Sequence, residues 1–255
     1  MARTLAVFLG CVLLGCSSSD EARLPDQAQL DQLAEAMAFY ASFEDGMDAA
    51  FARDDRRIYS APSYEELADR GPWYWGRNVE TAYDSGVAGH ALSFNGELSQ
   101  AVFYSADGNT PWSAGGAVSF WIQPGKHAGT PVAIVPADAR DSAVSVALAP
   151  SQMAVMAWGQ KIETSLTARS DGDWLHVVVS FVASESAEAT AKLYLNGLER
   201  GAAGDLAVEP APSTIRLGVN YVGLIDELAV FDRDLTDDEV RYLHQTPNLP
   251  ASLMR

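Results

Sequence analysis

The sequence predicts an all-β fold, an antiparallel sandwich or barrel with a short helix at each end, and three observations carry that prediction. From residue 90 onward the chain reads as about a dozen short apolar or alternating segments, punctuated by turn pairs such as Asn95-Gly96 and Asp171-Gly172. No helical period interrupts them before residue 236. Finally, 255 residues with 48% apolar side chains can bury one large core, and both cysteines, Cys11 and Cys16, lie upstream of every strand, so the fold stands on packing alone.

The first element is a leader. Residues 1–15 carry one positive charge, Arg3, and then an apolar run over 5–14 that is too short to cross a bilayer, which is the layout of a secretory signal. Its end, Leu13-Leu14-Gly15-Cys16, resembles the lipobox at which bacterial lipoprotein precursors are acylated and cut before the cysteine. On that resemblance the mature chain begins at a lipid-bearing Cys16 followed by a tether, Ser17-Ser18-Ser19-Asp20. Ser17 directly after the cysteine resembles the outer-membrane sorting case. The expected location is thus an exported, lipid-anchored protein of the outer membrane or cell surface, touching the membrane through its anchor only. The other reading is an ordinary signal peptide in which Cys16 has no role.

The next segment is a helix. After Pro25 and Asp26, the side chains Leu30, Leu33, Ala34 and Met37 recur at helical spacing. The period then changes to two over 38–43, a first strand ended by Glu44-Asp45-Gly46. Residues 53–89 are irregular, rich in Pro and Gly, and contain the aromatic run Trp73-Tyr74-Trp75. Strands are expected at 90–95, 99–104, 117–123, 131–135, 143–149, 152–158, 161–166, 174–183, 190–195, 198–200, 213–218 and 222–231. Asn196-Gly197 supplies the two positive-φ positions of a type I′ hairpin. Thr236-Asp237-Asp238-Glu239 is a capping box opening a last helix, and Pro247 follows it. The organisation expected is a signal at 1–15, a lipidated tether and helix at 16–37, one β domain at 38–247 and a tail at 248–255.

Four segments, in order, resemble the laminin-G-like, concanavalin A-like jelly-roll family. They are 89–96 (Gly-His-Ala-Leu-Ser-Phe-Asn-Gly), 117–124 (Ala-Val-Ser-Phe-Trp-Ile-Gln-Pro), 174–179 with 193–197, and 223–231 with 235–239. The resemblance covers roughly residues 38–246 and implies a jelly-roll β-sandwich. It implies less about activity, because the fold hosts lectins, glycan-binding modules, adhesion domains and glycosidases alike.

Asp226 is the sharpest candidate site residue. The strand period sets it with Leu224, Leu228 and Val230 on the apolar face, and a buried carboxylate needs a partner: backbone N–H groups, an arginine such as Arg216, or a metal ion. The family resemblance implies a structural Ca²⁺ where this aspartate meets the first-strand turn, which offers Glu44, Asp45 and Asp48 as oxygen ligands. The alternative is that Asp226 caps backbone donors and the turn acids are solvated. Trp73, Tyr74 and Trp75 are candidate sugar-stacking rings or a flap over the sandwich edge, and Trp121, sharing a face with Ser119 and Gln123, is a candidate outer-face platform.

With 17 Lys and Arg against 34 Asp and Glu, a net charge of −17, the chain lacks the footprint of a nucleic-acid binder. It also lacks the E-x-D-x-x-E strand of the β-glucanases of this superfamily, any H-E-x-x-H or G-x-S-x-G motif, and any P-loop. The expectation is a non-catalytic domain that binds a glycan or glycoprotein. A glycan-active hydrolase or lyase and a structural or adhesive envelope protein are the alternatives.

Overall fold

The computed structural model describes residues 25–71, 78–96, 100–125, 129–136, 143–149, 151–166, 172–182, 189–206 and 212–254. Residues 1–24, with Cys16, and the aromatic run Trp73, Tyr74 and Trp75 lie outside the described residues. In chain order the elements begin with α1 (Gln27–Ala36), β1 (Met37–Ala41), β2 (Phe51–Ala52), β3 (Ile58–Ala61), β4 (Val79–Ala82), β5 (Ala91–Phe94), β6 (Ala101–Ser105) and β7 (Gly115–Pro124). They continue with β8 (Gly129–Pro136), β9 (Val144–Ala149), β10 (Gln152–Ala157), β11 (Gln160–Ser165), β12 (Leu175–Val182) and β13 (Thr190–Leu195). Last come β14 (Leu198–Ala203), β15 (Pro212–Val219), β16 (Gly223–Phe231), α2 (Asp237–Gln245) and α3 (Leu249–Leu253).

These strands make two antiparallel sheets facing each other across one core, the expected β-sandwich. The first has the order β14-β13-β12-β7-β16-β1-β2, with β5 also on β16 and β4 on β5; the second runs β11-β10-β9-β8-β15-β6-β3. Alternation decides which side chains enter the core. On β12, Val177, Val179 and Phe181 point in while His176, Val178 and Ser180 point out; on β7, Val118, Phe120 and Ile122 point in while Ala117, Ser119 and Trp121 point out. One end of the core is closed by rings, with Trp158 4.1 Å and Trp112 5.1 Å from Phe181, and the Trp112 indole N–H donating to the Phe231 carbonyl at 2.9 Å.

Helices α1 and α2 cover the outer face of the first sheet. Leu33 and Ala36 of α1 and Val240 and Leu243 of α2 form a second apolar cluster with Tyr40, Val178, Tyr194 and Phe231. Helices α1 and α2 each start at a complete capping box, Asp26 with Gln29 and Thr236 with Glu239. Asn196 and Gly197 take φ of +52° and +76°, as the type I′ hairpin requires. The irregular stretch differs from expectation, because it contributes two short strands, β3 and β4, with the two-residue β2 just before it. Strands of two to four residues at sheet margins carry too little alternation to stand out among Pro and Gly.

The parity of β16 is the main correction. Asp226 was expected beside Leu228 and Val230 in the core, but a bulge between Asp226 and Ala229, with Glu227 at φ +52°, inserts one residue. Ile225, Leu228 and Val230 therefore enter the core, and Asp226 pairs with Trp121, an outer-face residue. Gly116 on β7 lies against the Trp112 ring, where a methyl group would overlap Cδ1 and Nε1. Gly116→Ala is expected to cost about 1–3 kcal/mol and to lower the melting temperature by roughly 2–10 °C in calorimetry; an unchanged transition would mean that the indole yields freely.

Candidate functional site: the break along the last strand

Strand β16 borders β7 on one edge, but on the other edge two strands share it. β5 pairs with Gly223, Leu224 and Ile225, and β1 pairs from Leu228 onward, so the two meet end to end opposite Asp226 and Glu227. The segment after β1 and the loop before β5 converge there. Asp226 Oδ2 accepts the Ala88 N–H at 3.2 Å and its Oδ1 accepts the Glu227 N–H at 2.8 Å. Glu44 Oε1 accepts the His90 N–H at 2.8 Å, and the Tyr40 hydroxyl donates to Glu227 Oε2 at 2.6 Å. Gly86 is hemmed in, since a Cβ there would lie 2.6 Å from Asp226 Oδ2 and against the His90 carbonyl, and one on Gly89 would meet the Glu44 carboxyl group.

The electrostatics are unusual for so acidic a chain. Asp226 is fully buried and Glu227 is 3% exposed, and among the described residues no Lys or Arg forms an ion pair with either. Burial pushes the Asp226 carboxyl up to about 7, against the pull of the Ala88, Glu227 and Val87 N–H groups and with the Glu44 charge adding to the rise. Burial likewise lifts Glu227 to about 9, with the Asp226 and Glu44 charges behind it and the Tyr40 hydroxyl opposing. The Tyr40 phenol is driven far above its usual range by burial and by the Glu227 charge.

Of the candidate ligands, Asp226 and Glu44 come together at this break. Asp45 stays exposed, and Asp48 turns to accept the Ile58 N–H at 2.9 Å. Among the described residues no three Asp, Glu, His or Cys side chains gather as a metal-holding group. Arg216 is remote from Asp226, stacked 4.6 Å over the Tyr64 ring on the other sheet. Trp121 keeps its outer-face position but is 6% exposed, against the rings of His176 at 4.9 Å and His244 of α2 at 5.3 Å, so it offers no open stacking face. His176 Nε2 and Ser119 Oγ are 2.9 Å apart, yet both are buried; desolvation, with His244 close by, brings the imidazole down to about 3. That pair is an interior hydrogen bond rather than a nucleophile and base open to a substrate.

Sequence reasoning missed Glu227, Tyr40 and the loop 83–90, which carries the exposed Tyr83 ring 5.0 Å from His90. The usable signals were two consecutive acids inside an apolar strand, which mark a bulge, and Gly86 and Gly89 flanking a short loop.

The raised carboxyls set a pH dependence. Their folded values exceed the ordinary 3.8 and 4.5, so between about pH 4 and 9 the folded chain holds more protons than the unfolded one, and stability falls as pH rises. His176 and His244, both lowered, act oppositely and only below their ordinary 6.5. In metal-free buffer the unfolding free energy is therefore expected to fall from pH 7 to 9, by at most about 1.4 kcal/mol per pH unit for each group. Glu227→Gln, which keeps an acceptor for Tyr40, should flatten the slope; equal slopes in urea titrations of the two proteins would place the proton elsewhere.

Residues 95–241 match the Concanavalin A-like lectin/glucanases superfamily. None of the curated proteins compared with the chain matches it. Among solved structures, domain 4 of AbnA, a GH43 extracellular arabinanase from Geobacillus stearothermophilus, in complex with arabinotriose, is similar at a TM-score of 0.56 and 20% identity, over 82% of this chain and 98% of that one. The botulinum neurotoxin serotype D binding domain is similar at a TM-score of 0.63 and 10% identity, over 86% of this chain and 52% of that one. Its ligand-binding domain in complex with N-acetylneuraminic acid is similar at 0.61 and 10% identity, over 85% and 52%. The chain spans about half of those toxin domains, and at such identities the likeness establishes the fold alone. The superfamily match extends over more than half of the 255 residues and falls on the strands of the two-sheet sandwich, so the chain belongs to the Concanavalin A-like lectin/glucanases superfamily.

Proposed function

We propose that this chain is a non-catalytic carbohydrate-binding domain, exported and held at the outer membrane or cell surface by lipid on Cys16, with one structural Ca²⁺ at the break beside β16. The observation that supports binding most directly is the likeness to domain 4 of the arabinanase, matched over 98% of its length and seen with arabinotriose. The toxin domain seen with N-acetylneuraminic acid, of which this chain spans about half, is a further sugar-bound protein with a similar fold in part of its length. The absence of a glucanase triplet from the sequence and the closed Ser119 and His176 pair favour binding over bond cleavage. The aromatic run Trp73, Tyr74 and Trp75 remains the sequence's own suggestion for stacking residues.

Calcium is favoured by the donor set. Asp226 and Glu44 supply hard oxygens, the His90 carbonyl lies beside Asp226 Oδ2, and no cationic side chain pairs with these carboxylates among the described residues. Asp45 and Asp48 stand apart from this set. When bound, the ion would offset the carboxylate charges and let both stay ionised at neutral pH.

A glycan array run with and without Ca²⁺ tests the main reading, with melting temperatures read on the same samples. At a hundred times its Kd, Ca²⁺ should add about 2.7 kcal/mol, roughly 5–10 °C for a chain of this size, and Asp226→Asn should lose that response. Retention of at least one glycan is expected, without release of reducing ends. Release of reducing ends would make the chain a hydrolase or lyase, and an empty array an envelope protein of structural kind. Metabolic labelling with a palmitate analogue should mark the protein, and Cys16→Ser should free it from membranes; an unlabelled, membrane-free wild type would end the anchor reading.

A further inference from the structure

Tyr83 is the most exposed large apolar side chain among the described residues, at 71%. A single exposed ring is ordinary on a protein surface. What sets this one apart is how it is held and what stands beside it. The His90 ring meets it edge to face, with centroids 5.0 Å apart and planes at 77°. His90 is itself oriented, because its Nδ1 accepts the Asp84 N–H at 3.1 Å, which puts the ring proton on Nε2. That Nε2–H has no partner among the described residues, and the side chain is 23% exposed. The neighbouring Asp84 carboxylate is 95% exposed and ready to accept.

The loop that carries these groups is pinned. Its Ala88 N–H goes to Asp226 and its His90 N–H to Glu44; Gly86 N–H donates to the Gly89 carbonyl at 2.8 Å, and Ser85 Oγ donates to the Tyr83 carbonyl at 3.0 Å. A ring, a donor and an acceptor on a rigid loop are the parts from which a small polar ligand with one flat apolar face is recognised, at little ordering cost.

We propose that Tyr83, His90 and Asp84 form a surface site for a neutral glycan. The C–H face of a sugar ring lies on Tyr83, one hydroxyl accepts from His90 Nε2–H, and another donates to Asp84. Acidic sugars are disfavoured because the exposed carboxylates of Asp84 and Glu44 flank the site on a chain of net charge −17. The site rests on the carbohydrate-binding reading and assigns it residues and a ligand class.

The test is affinity electrophoresis of the full chain in gels containing debranched arabinan, galactan, barley β-glucan or polygalacturonate. Retardation is expected in at least one neutral gel. Tyr83→Ala should weaken it about tenfold or more, His90→Ala should weaken it less, and Tyr83→Phe should keep most of it. Circular dichroism and melting temperature should not move for Tyr83→Ala, since the ring is exposed. Full retardation of Tyr83→Ala would overturn this site while leaving the broader reading intact. Retardation by polygalacturonate alone would overturn the neutral ligand, and a wild type that no gel retards would count against both the site and the reading beneath it.

Discussion

Where β5 and β1 meet end to end beside β16, the incoming backbone has no strand to donate to, and each buried N–H left unpaired would cost about 1–3 kcal/mol. Asp226 accepts from the part-buried Ala88 N–H and the buried Glu227 N–H, and Glu44, on the exposed side of the break, accepts from His90. The price is charge, because two buried carboxyls and a third close by then stand together without a Lys or Arg partner among the described residues. A proton or a cation must offset that charge, and the raised Asp226 and Glu227 carboxyls express the same need. The bulge at Glu227, the crowding of Gly86 and Gly89, and the fixed posture of the loop 83–90 all follow from closing this one gap.

The rest of the sandwich decides what is left for function. α1 and α2 occupy the outer face of the first sheet, burying Tyr40, Val178, Tyr194 and Phe231. The same cover puts His244 on Trp121 and shuts Ser119 and His176 away from water. Surface chemistry on this side of the molecule is therefore displaced to the rim, where the loop joining β4 to β5 emerges from the break. The loop's polar floor is acidic and its two ends carry the Tyr83 and His90 rings, a combination that suits hydroxyl-bearing neutral ligands better than anions.

Much of the architecture was legible in the chain, for a local reason. Long strands such as β7, β12 and β16 bury one face against the opposite sheet, so their apolar alternation is enforced residue by residue and can be read directly. The capping boxes at Asp26 and Thr236 and the Asn196-Gly197 turn are local too, since their partners lie within a few residues. Marginal strands β2 and β4 were not legible, because their pairing is decided by the neighbour that receives them.

The candidate site divides along the same line. The sequence by itself determined that Asp226 would need partners, since a carboxylate inside an apolar strand allows nothing else, and that Glu44 lay in a turn able to supply oxygen. Only the tertiary structure decided which groups arrive. Tyr40 and Glu227 are 187 residues apart and Ala88 and Asp226 138 apart, so no spacing rule links them. The bulge moved Asp226 to the other parity, and the packing of α2 closed over Trp121 while leaving Tyr83 open. Alternation and capping are set by neighbours in sequence, whereas the break in β16 exists only once two remote strands compete for one edge.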